Sequence, residues 1–230
     1  MTDQMPAARR IRVWDLPTRI AHWSIVSLFA VCWWTAKSDH MQWHRLAGYG
    51  MLAAVWFRLA WGFWGGETAR FGHFVRGPST TLQYVRKLFS RGDDAAPAPI
   101  GHNPLGALSI LAMVGLLLTQ TTFGLFAVNV DGFASGPLSR WVSYSAGRRF
   151  AHWHGANFNL LLVVVAIHLT AIGFYRWVRK ERLIPAMIHG HKTVSAPIQE
   201  LYFVPWWRAI ALATGIGLCV ALIANIRSLT

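Results

Sequence analysis

The 230-residue sequence predicts an all-α integral membrane protein: a bundle of four transmembrane helices, with a fifth transmembrane helix following it at the C-terminal end. Three observations predict this. Hydrophobic residues make up 54% of the chain and charged residues only 13%, which suits a lipid-facing surface better than a soluble one. The 13 tryptophans concentrate at the ends of apolar stretches, where amphipathic rings sit at the membrane–water interface. Lastly, His154 and His168 lie in one apolar stretch, HGANFNLLLVVVAIH. Their spacing puts both imidazoles within about 40° of one helix face and about 21 Å apart along the axis. That is most of the roughly 30 Å hydrocarbon core, and polar groups at membrane depth are costly and usually functional.

Taken in order, residues 1–18 form a polar segment containing Pro6 and Pro17. No small-residue cleavage site follows the first apolar run, residues 19–37, so that run is expected to be a retained helix. The second span covers residues 44–64. The loop 65–103 contains PSTTLQYVRKLFSRG, which sets Leu82, Val85 and Phe89 on one side and basic residues on the other. It reads either as a short helix lying on the membrane or as an ordinary amphipathic loop helix. The third span, residues 104–128, opens with Asn103 as cap and Pro104 in the first turn. The fourth covers residues 152–177 and the fifth residues 206–226. The chain therefore divides into an N-terminal segment 1–18, a four-helix domain 19–193, and a linker with the fifth helix, 194–230.

The formal net charge is +13, but the basic residues flank apolar stretches, so nucleic-acid binding is excluded as the reason for it. With the N-terminus inside, one membrane face collects Arg9, Arg10, Arg12, Arg19, Arg70, Arg76, Arg86, Lys87, Arg91, Arg176, Arg179, Lys180, Arg182 and Lys192. The other has Lys37, Arg45, Arg140, Arg148, Arg149 and Arg227. The positive-inside bias predicts a cytoplasmic N-terminus and, after five spans, a C-terminus on the outer, periplasmic side. The resemblance given below makes this membrane a bacterial inner membrane. Cys32 and Cys219 both fall in apolar stretches, so neither a disulfide framework nor a structural zinc site is implied.

This topology sorts the histidines by depth. His44 and His154 open their spans from the outer side, whereas His22 opens the first span from the cytoplasm and His168 lies about four turns below His154. Two bis-histidine pairs on opposite sides of a helical bundle suit two haems held by imidazole from facing helices. No CxxCH is present, so the haems are expected to be noncovalent haem b. His40 competes with His44, because it follows His22 by close to a whole number of turns. Gly48, one turn after His44, leaves room for a flat macrocycle. His152 falls on the opposite helix face from His168. His73, His102, His189 and His191 lie in cytoplasmic segments and default to solvated or interfacial roles; His102, at the mouth of the third span, is alternatively a quinone headgroup contact. For the haem propionates the candidates are Arg45, beside His44, and Arg148 with Arg149, ahead of His154. Arg58, fourteen residues after His44, either pairs with an inner-haem propionate or snorkels to the headgroups.

The segments RVWDLPTRIAHW, WHRLAGYGML, FRLAWGFWGGETARFGHFVRGP, GHNPLG, HGANFNLLLVVVAIH and AMIHGHK resemble the b-type cytochrome subunits associated with nickel-iron hydrogenases, within the bacterial cytochrome b561 superfamily. The resemblance covers residues 11–193 in order. It implies a four-helix core with two b haems, ligated by His22, His44, His154 and His168. The fifth apolar segment departs from that pattern. The function expected is electron transfer between a periplasm-facing redox partner, a c-type cytochrome or hydrogenase-like protein, and the membrane quinone pool. Two alternatives are a self-contained superoxide or quinone oxidoreductase and a haem-free, histidine-lined metal or proton transporter.

Overall fold

The computed structural model describes residues 9–88, 101–130, 135–194 and 201–226. Phe89, Arg91, Asp131, Arg227 and Thr230 lie outside the described residues. The described chain is mostly helical: α1 (Leu16–Lys37), α2 (Met41–Trp64), α3 (Phe71–Phe74), α4 (Pro78–Leu88), α5 (Pro104–Phe126), α6 (Tyr144–Trp177), α7 (Leu183–His189) and α8 (Trp206–Asn225). Three of these are long and apolar enough to cross a membrane: α5, α6 and α8. At 22 and 24 residues α1 and α2 match them in length. Arg19, His22 and Lys37 in α1, and His44, Arg45 and Arg58 in α2, lower their hydropathy.

Helix boundaries follow their caps rather than the edges of hydropathy. Asp15 accepts a hydrogen bond from the Thr18 amide at 2.8 Å, and Pro17 occupies the first turn, so α1 opens at Leu16, ahead of the apolar run. Asp39, at φ 56°, turns the chain out of α1, and the His40 amide donates back to the Thr35 carbonyl at 2.8 Å. Asn103 caps α5 through the Gly106 amide, as its Asn-Pro start predicts. Ser143 caps α6, which therefore starts eight residues before the apolar stretch. At about 1.5 Å per residue its 34 residues run to about 51 Å, well beyond a hydrocarbon core.

In the packing, α1 lies against α2, α2 against α5 and α8, and α5 against α6. The central core consists of Met51 and Val55 of α2, Val114 and Leu117 of α5, and Leu161 of α6. Leu161 is fully buried and sits midway in sequence between His154 and His168. Across this level the Phe29 and Phe158 rings stack at 5.7 Å, bridging α1 and α6. Lipid tails are as apolar as these side chains, so in a bilayer close packing and interhelical polar ties must hold the bundle.

One element departs from the all-helical expectation. Strand β1 (Arg9–Arg12) pairs antiparallel with β2 (His191–Val194), Arg9 opposite Val194 and Arg12 opposite His191. Both segments are polar and short, with no alternating apolar face to announce a sheet. The ribbon is anchored by Gly190, whose carbonyl accepts from the Val13 and Trp14 amides at 2.7 and 3.1 Å. Gly190 adopts φ +81° to close α7, and a Cβ there would meet the Trp14 carbonyl at 2.7 Å. The loop helix α4 forms as expected. Thr81 and Leu88 are buried and Leu82 is exposed, and Tyr84 hydrogen-bonds Tyr175 of α6 at 3.0 Å. Asn103 donates to the same Tyr175 hydroxyl at 2.7 Å.

Candidate functional site

Two clusters of histidine lie at opposite ends of the bundle. At the end where α2 begins, the rings of His44 and His154 stand 6.1 Å apart and nearly perpendicular, at 84°. An edge-to-face aromatic pair has the same spacing, so the hydrogen bonds carry the distinction. His44 Nδ1 lies 2.9 Å from the Cys32 carbonyl of α1, and His154 Nδ1 lies 2.9 Å from the Gln120 carbonyl of α5. A carbonyl only accepts, so each Nδ1 carries a proton, which in the neutral ring leaves the lone pair on Nε2. That is the tautomer of a metal-bound histidine, oriented by a backbone partner.

The spacing suits a shared metal. With metal–nitrogen bonds of about 2.0–2.1 Å, two imidazoles on opposite sides of one ion have ring centres about 6.3 Å apart. Space is available too. A Cβ at Gly48 would meet no atom within 4 Å, whereas one at Gly124 would come within 3.2 Å of the His154 ring. Gly124 is therefore what lets α5 approach the ligand-bearing face of α6. Asn157, one turn after His154, donates to the Leu116 carbonyl at 3.0 Å and to Gln120 Oε1 at 2.7 Å, locking α5 to α6 beside the histidine.

At the other, basic end, His22 of α1 lies within electrostatic reach of His168 of α6 and of Arg58. His22 Nδ1 is sealed from solvent without a hydrogen-bond partner. Arg58 is only 7% exposed and does not reach out to headgroups. Its guanidinium lies 5.3 Å from the Phe71 ring centre, and its Nη1 is buried and unpartnered. A buried cation with an unfilled donor is expensive unless an anion completes it. Asp15 is within electrostatic reach, but its carboxylate is already engaged by the Thr18 amide and by Trp61 Nε1 at 3.0 Å.

His102 joins this cluster just ahead of α5, its ring 4.4 Å from Trp14 and 4.8 Å from Phe74. Burial, with Arg58, His22 and His168 nearby, pushes its pKa down to about 3, so the ring is neutral at physiological pH. Among the described residues no three His, Cys, Asp or Glu side chains gather into a metal-binding group. The available donors come as histidine pairs. Imidazole pairs, the open space beside Gly48 and a buried arginine with an unfilled donor fit a noncovalently held haem.

A family profile for prokaryotic cytochrome b561 matches residues 13–190. The chain belongs to that family. It is thus a membrane b-type cytochrome that binds haem b and carries electrons. No curated protein and no solved structure matches the chain. The family match ends ahead of α8, which lies outside the matched residues.

The remaining expected site residues are distributed as follows. Arg45 is half-buried beside His44, while Arg149 is exposed. Arg148 Nη1 donates to the Val128 carbonyl at 3.2 Å, closing the loop that leads into α6. His40 sits at the N-cap of α2 against the Trp34 ring, and His152 is exposed. His73 pairs with Glu67 at 3.5 Å. Four positioning residues escaped the sequence reading: Asp15, Trp61, Gln120 and Asn157. Asp15 was discoverable as an N-cap ahead of Pro17. Gln120 and Asn157 stood out as polar residues inside apolar spans, although their partners did not.

Proposed function

We propose that this cytochrome holds two noncovalent b haems, one between His44 and His154 and one between His22 and His168. It passes electrons across the inner membrane between a periplasm-facing redox protein and the quinone pool. The observation that carries this reading is the pairing of His44 with His154, each with Nδ1 bound to a backbone carbonyl and Nε2 left for a metal. When bound, a b haem supplies reversible one-electron transfer at iron whose potential the protein tunes through ligands, burial and hydrogen bonds. The chain's own residues hold and insulate. Leu161, Met51, Val55, Val114 and Leu117 keep water out between the two levels, and Phe29 with Phe158 fills the α1–α6 gap.

Arg58 is suited to the anionic edge of the inner haem, since its buried Nη1 lacks a partner. Arg45, Arg148 and Arg149 are the corresponding candidates at the outer haem. Arg148 retains further N–H donors beyond the one given to Val128. His102 is suited to a quinone headgroup: a neutral ring between Trp14 and Phe74, close to His22 and His168. The direct test is haem content. Acid acetone should extract two haems per chain, and a stoichiometry of one would remove one of the two sites.

Orientation follows from the basic residues, with five spans, the N-terminus in the cytoplasm and the C-terminus in the periplasm. A reporter active only in the periplasm should be active when fused after Thr230 and silent when fused at Arg91. The reverse pattern would exchange the inner and outer haem assignments.

The outer surface between α5 and α6 carries exposed Arg140 and Arg149 together with Arg148. It suits an acidic electron-transfer protein steered by charge, and steering weakens as salt screens it. Electron exchange with such a partner should slow as ionic strength rises. Arg140→Glu should slow it further at low salt while leaving both haem spectra unchanged. Indifference to both changes would move the docking site elsewhere.

A further inference from the structure

A cavity lies where α2 ends and α8 begins. It has a volume of about 530 Å³ and is lined by Trp61, Phe63, Trp64, Arg70, Arg208 and Leu212. That is within the roughly 300–1,000 Å³ of small-ligand sites. Its lining is polarised along the helix axes. Arg70 follows the end of α2 and Arg208 lies in the first turn of α8, so both guanidinium-bearing residues sit at one membrane surface. Trp61 lies about one turn before the end of α2, and Leu212 about one turn beyond Arg208 in α8, so the apolar part of the lining is on the bilayer side of the arginines. Phe63 and Trp64 are exposed at the rim.

Both arginines are held but not neutralised. Arg70 Nε donates to the Gly65 carbonyl at 2.8 Å, and its guanidinium lies 5.9 Å from the Tyr202 ring centre. The Arg208 guanidinium lies 5.4 Å from the Trp207 ring centre. Among the described residues neither has a carboxylate in salt-bridge range. Glu67, the nearby acid, accepts from the Tyr202 amide at 3.0 Å and lies 3.5 Å from His73 Nδ1, out of salt-bridge range of either arginine. No side chain caps the first turn of α8, so its amides add positive potential at the same place. A ligand for this cavity must carry an anion at the interface and an apolar body directed into the bilayer.

We propose that the α2–α8 cavity binds an anionic phospholipid from the surrounding leaflet. Its phosphodiester lies between Arg70 and Arg208, and its acyl chains leave over Trp61 and Leu212. The lipid then mortars the fifth helix onto the family's domain. Basic pockets between transmembrane helices at this depth recognise lipid headgroups through the same charge and hydrogen-bond chemistry. The proposal does not depend on which histidines hold haem, since no histidine and neither Arg58 nor Asp15 lines the cavity; Trp61, which also donates to Asp15, is left unchanged in the test below.

The test uses the full-length, haem-containing protein, delipidated in detergent, with bound lipid counted by native mass spectrometry. Phosphatidylglycerol, phosphatidylcholine and inorganic phosphate serve as separate probes. One phosphatidylglycerol should bind at least about tenfold more tightly than phosphatidylcholine, a preference that one charge-assisted contact can supply. Arg70→Gln and Arg208→Gln should each abolish most of that preference, while Arg76→Gln, an exposed charge outside the cavity, should leave it intact. Leu212→Trp, which fills the apolar part of the cavity and keeps both arginines, should weaken both lipids. An unchanged haem spectrum in each variant establishes folding. If a glutamine variant loses its haem, the Leu212→Trp result and charge-retaining Arg208→Lys decide in its place. Equal affinity for the two lipids, or a preference that survives loss of both arginines, overturns the proposal. So does displacement of phosphatidylglycerol by inorganic phosphate, which would identify a soluble phosphate site, or by a quinone analogue, which would identify a quinone site.

Discussion

His154→Ala should remove one haem of two and His168→Ala the other, each halving the reduced alpha band and leaving the remaining haem with its own potential. The two histidines share α6 but face different partners, His44 at one end and His22 at the other. About 21 Å of helix separates them, with the Leu161 core between. Losing one ligand therefore leaves the other site's donors and packing in place. Gly124→Val is the sharper companion, because it leaves all four histidines intact. A Cβ at Gly124 already comes within 3.2 Å of the His154 ring, and two further methyl groups have no free room on that side. It should deplete the His44–His154 haem and spare the other. Haem content by pyridine haemochrome and potentials by redox titration read both outcomes. Loss of both haems with either alanine variant would mean that α6 had failed as a helix, and retention of two haems in both would remove these histidines from the ligand set.

Asp15→Ala should lower thermal stability by about 2–4 kcal/mol and disturb the basic end of the bundle first. The carboxylate is buried, caps α1 through Thr18, and ties α1 to α2 through Trp61. A lost N-cap costs about 1 kcal/mol, and an interhelical hydrogen bond in a membrane protein about 0.6–2 kcal/mol. The remainder comes from Arg58, which loses a nearby negative charge while still buried. Asp15→Asn separates these contributions, since its amide oxygen can still cap α1 or accept from Trp61 but no longer faces Arg58 as an anion. It should recover roughly half of the lost stability, read as the unfolding midpoint in detergent. If alanine and asparagine behave alike, charge dominates at this position and the cap contributes little.

Much of this architecture was legible from one dimension. The bilayer demands about 20 apolar residues per span and interfacial tryptophans at their ends, and both survive as patterns in the chain. Helical periodicity sets His154 and His168 on one face of α6, while span direction sets His44 at the depth of His154. In the structure those two rings come to 6.1 Å. Caps with strong local chemistry, Asn103-Pro104 above all, were equally readable.

What the sequence could not determine by itself depends on contacts between segments distant in the chain. The β1–β2 ribbon joins residues about 180 positions apart and has no amphipathic alternation, since its partner alone satisfies its backbone. The contact of α4 with α6 through the Tyr84 and Tyr175 hydroxyls is likewise invisible in the periodicity of α4 itself. The tautomers of His44 and His154 were decided by carbonyls on α1 and α5, and the burial of Arg58 by the turn that lays Phe71 against it. Solvent partition is a property of each residue and its near neighbours, so composition and period determine which segments enter the bilayer. Hydrogen-bond direction and charge compensation are properties of pairs, and only the tertiary structure brings the pairs together.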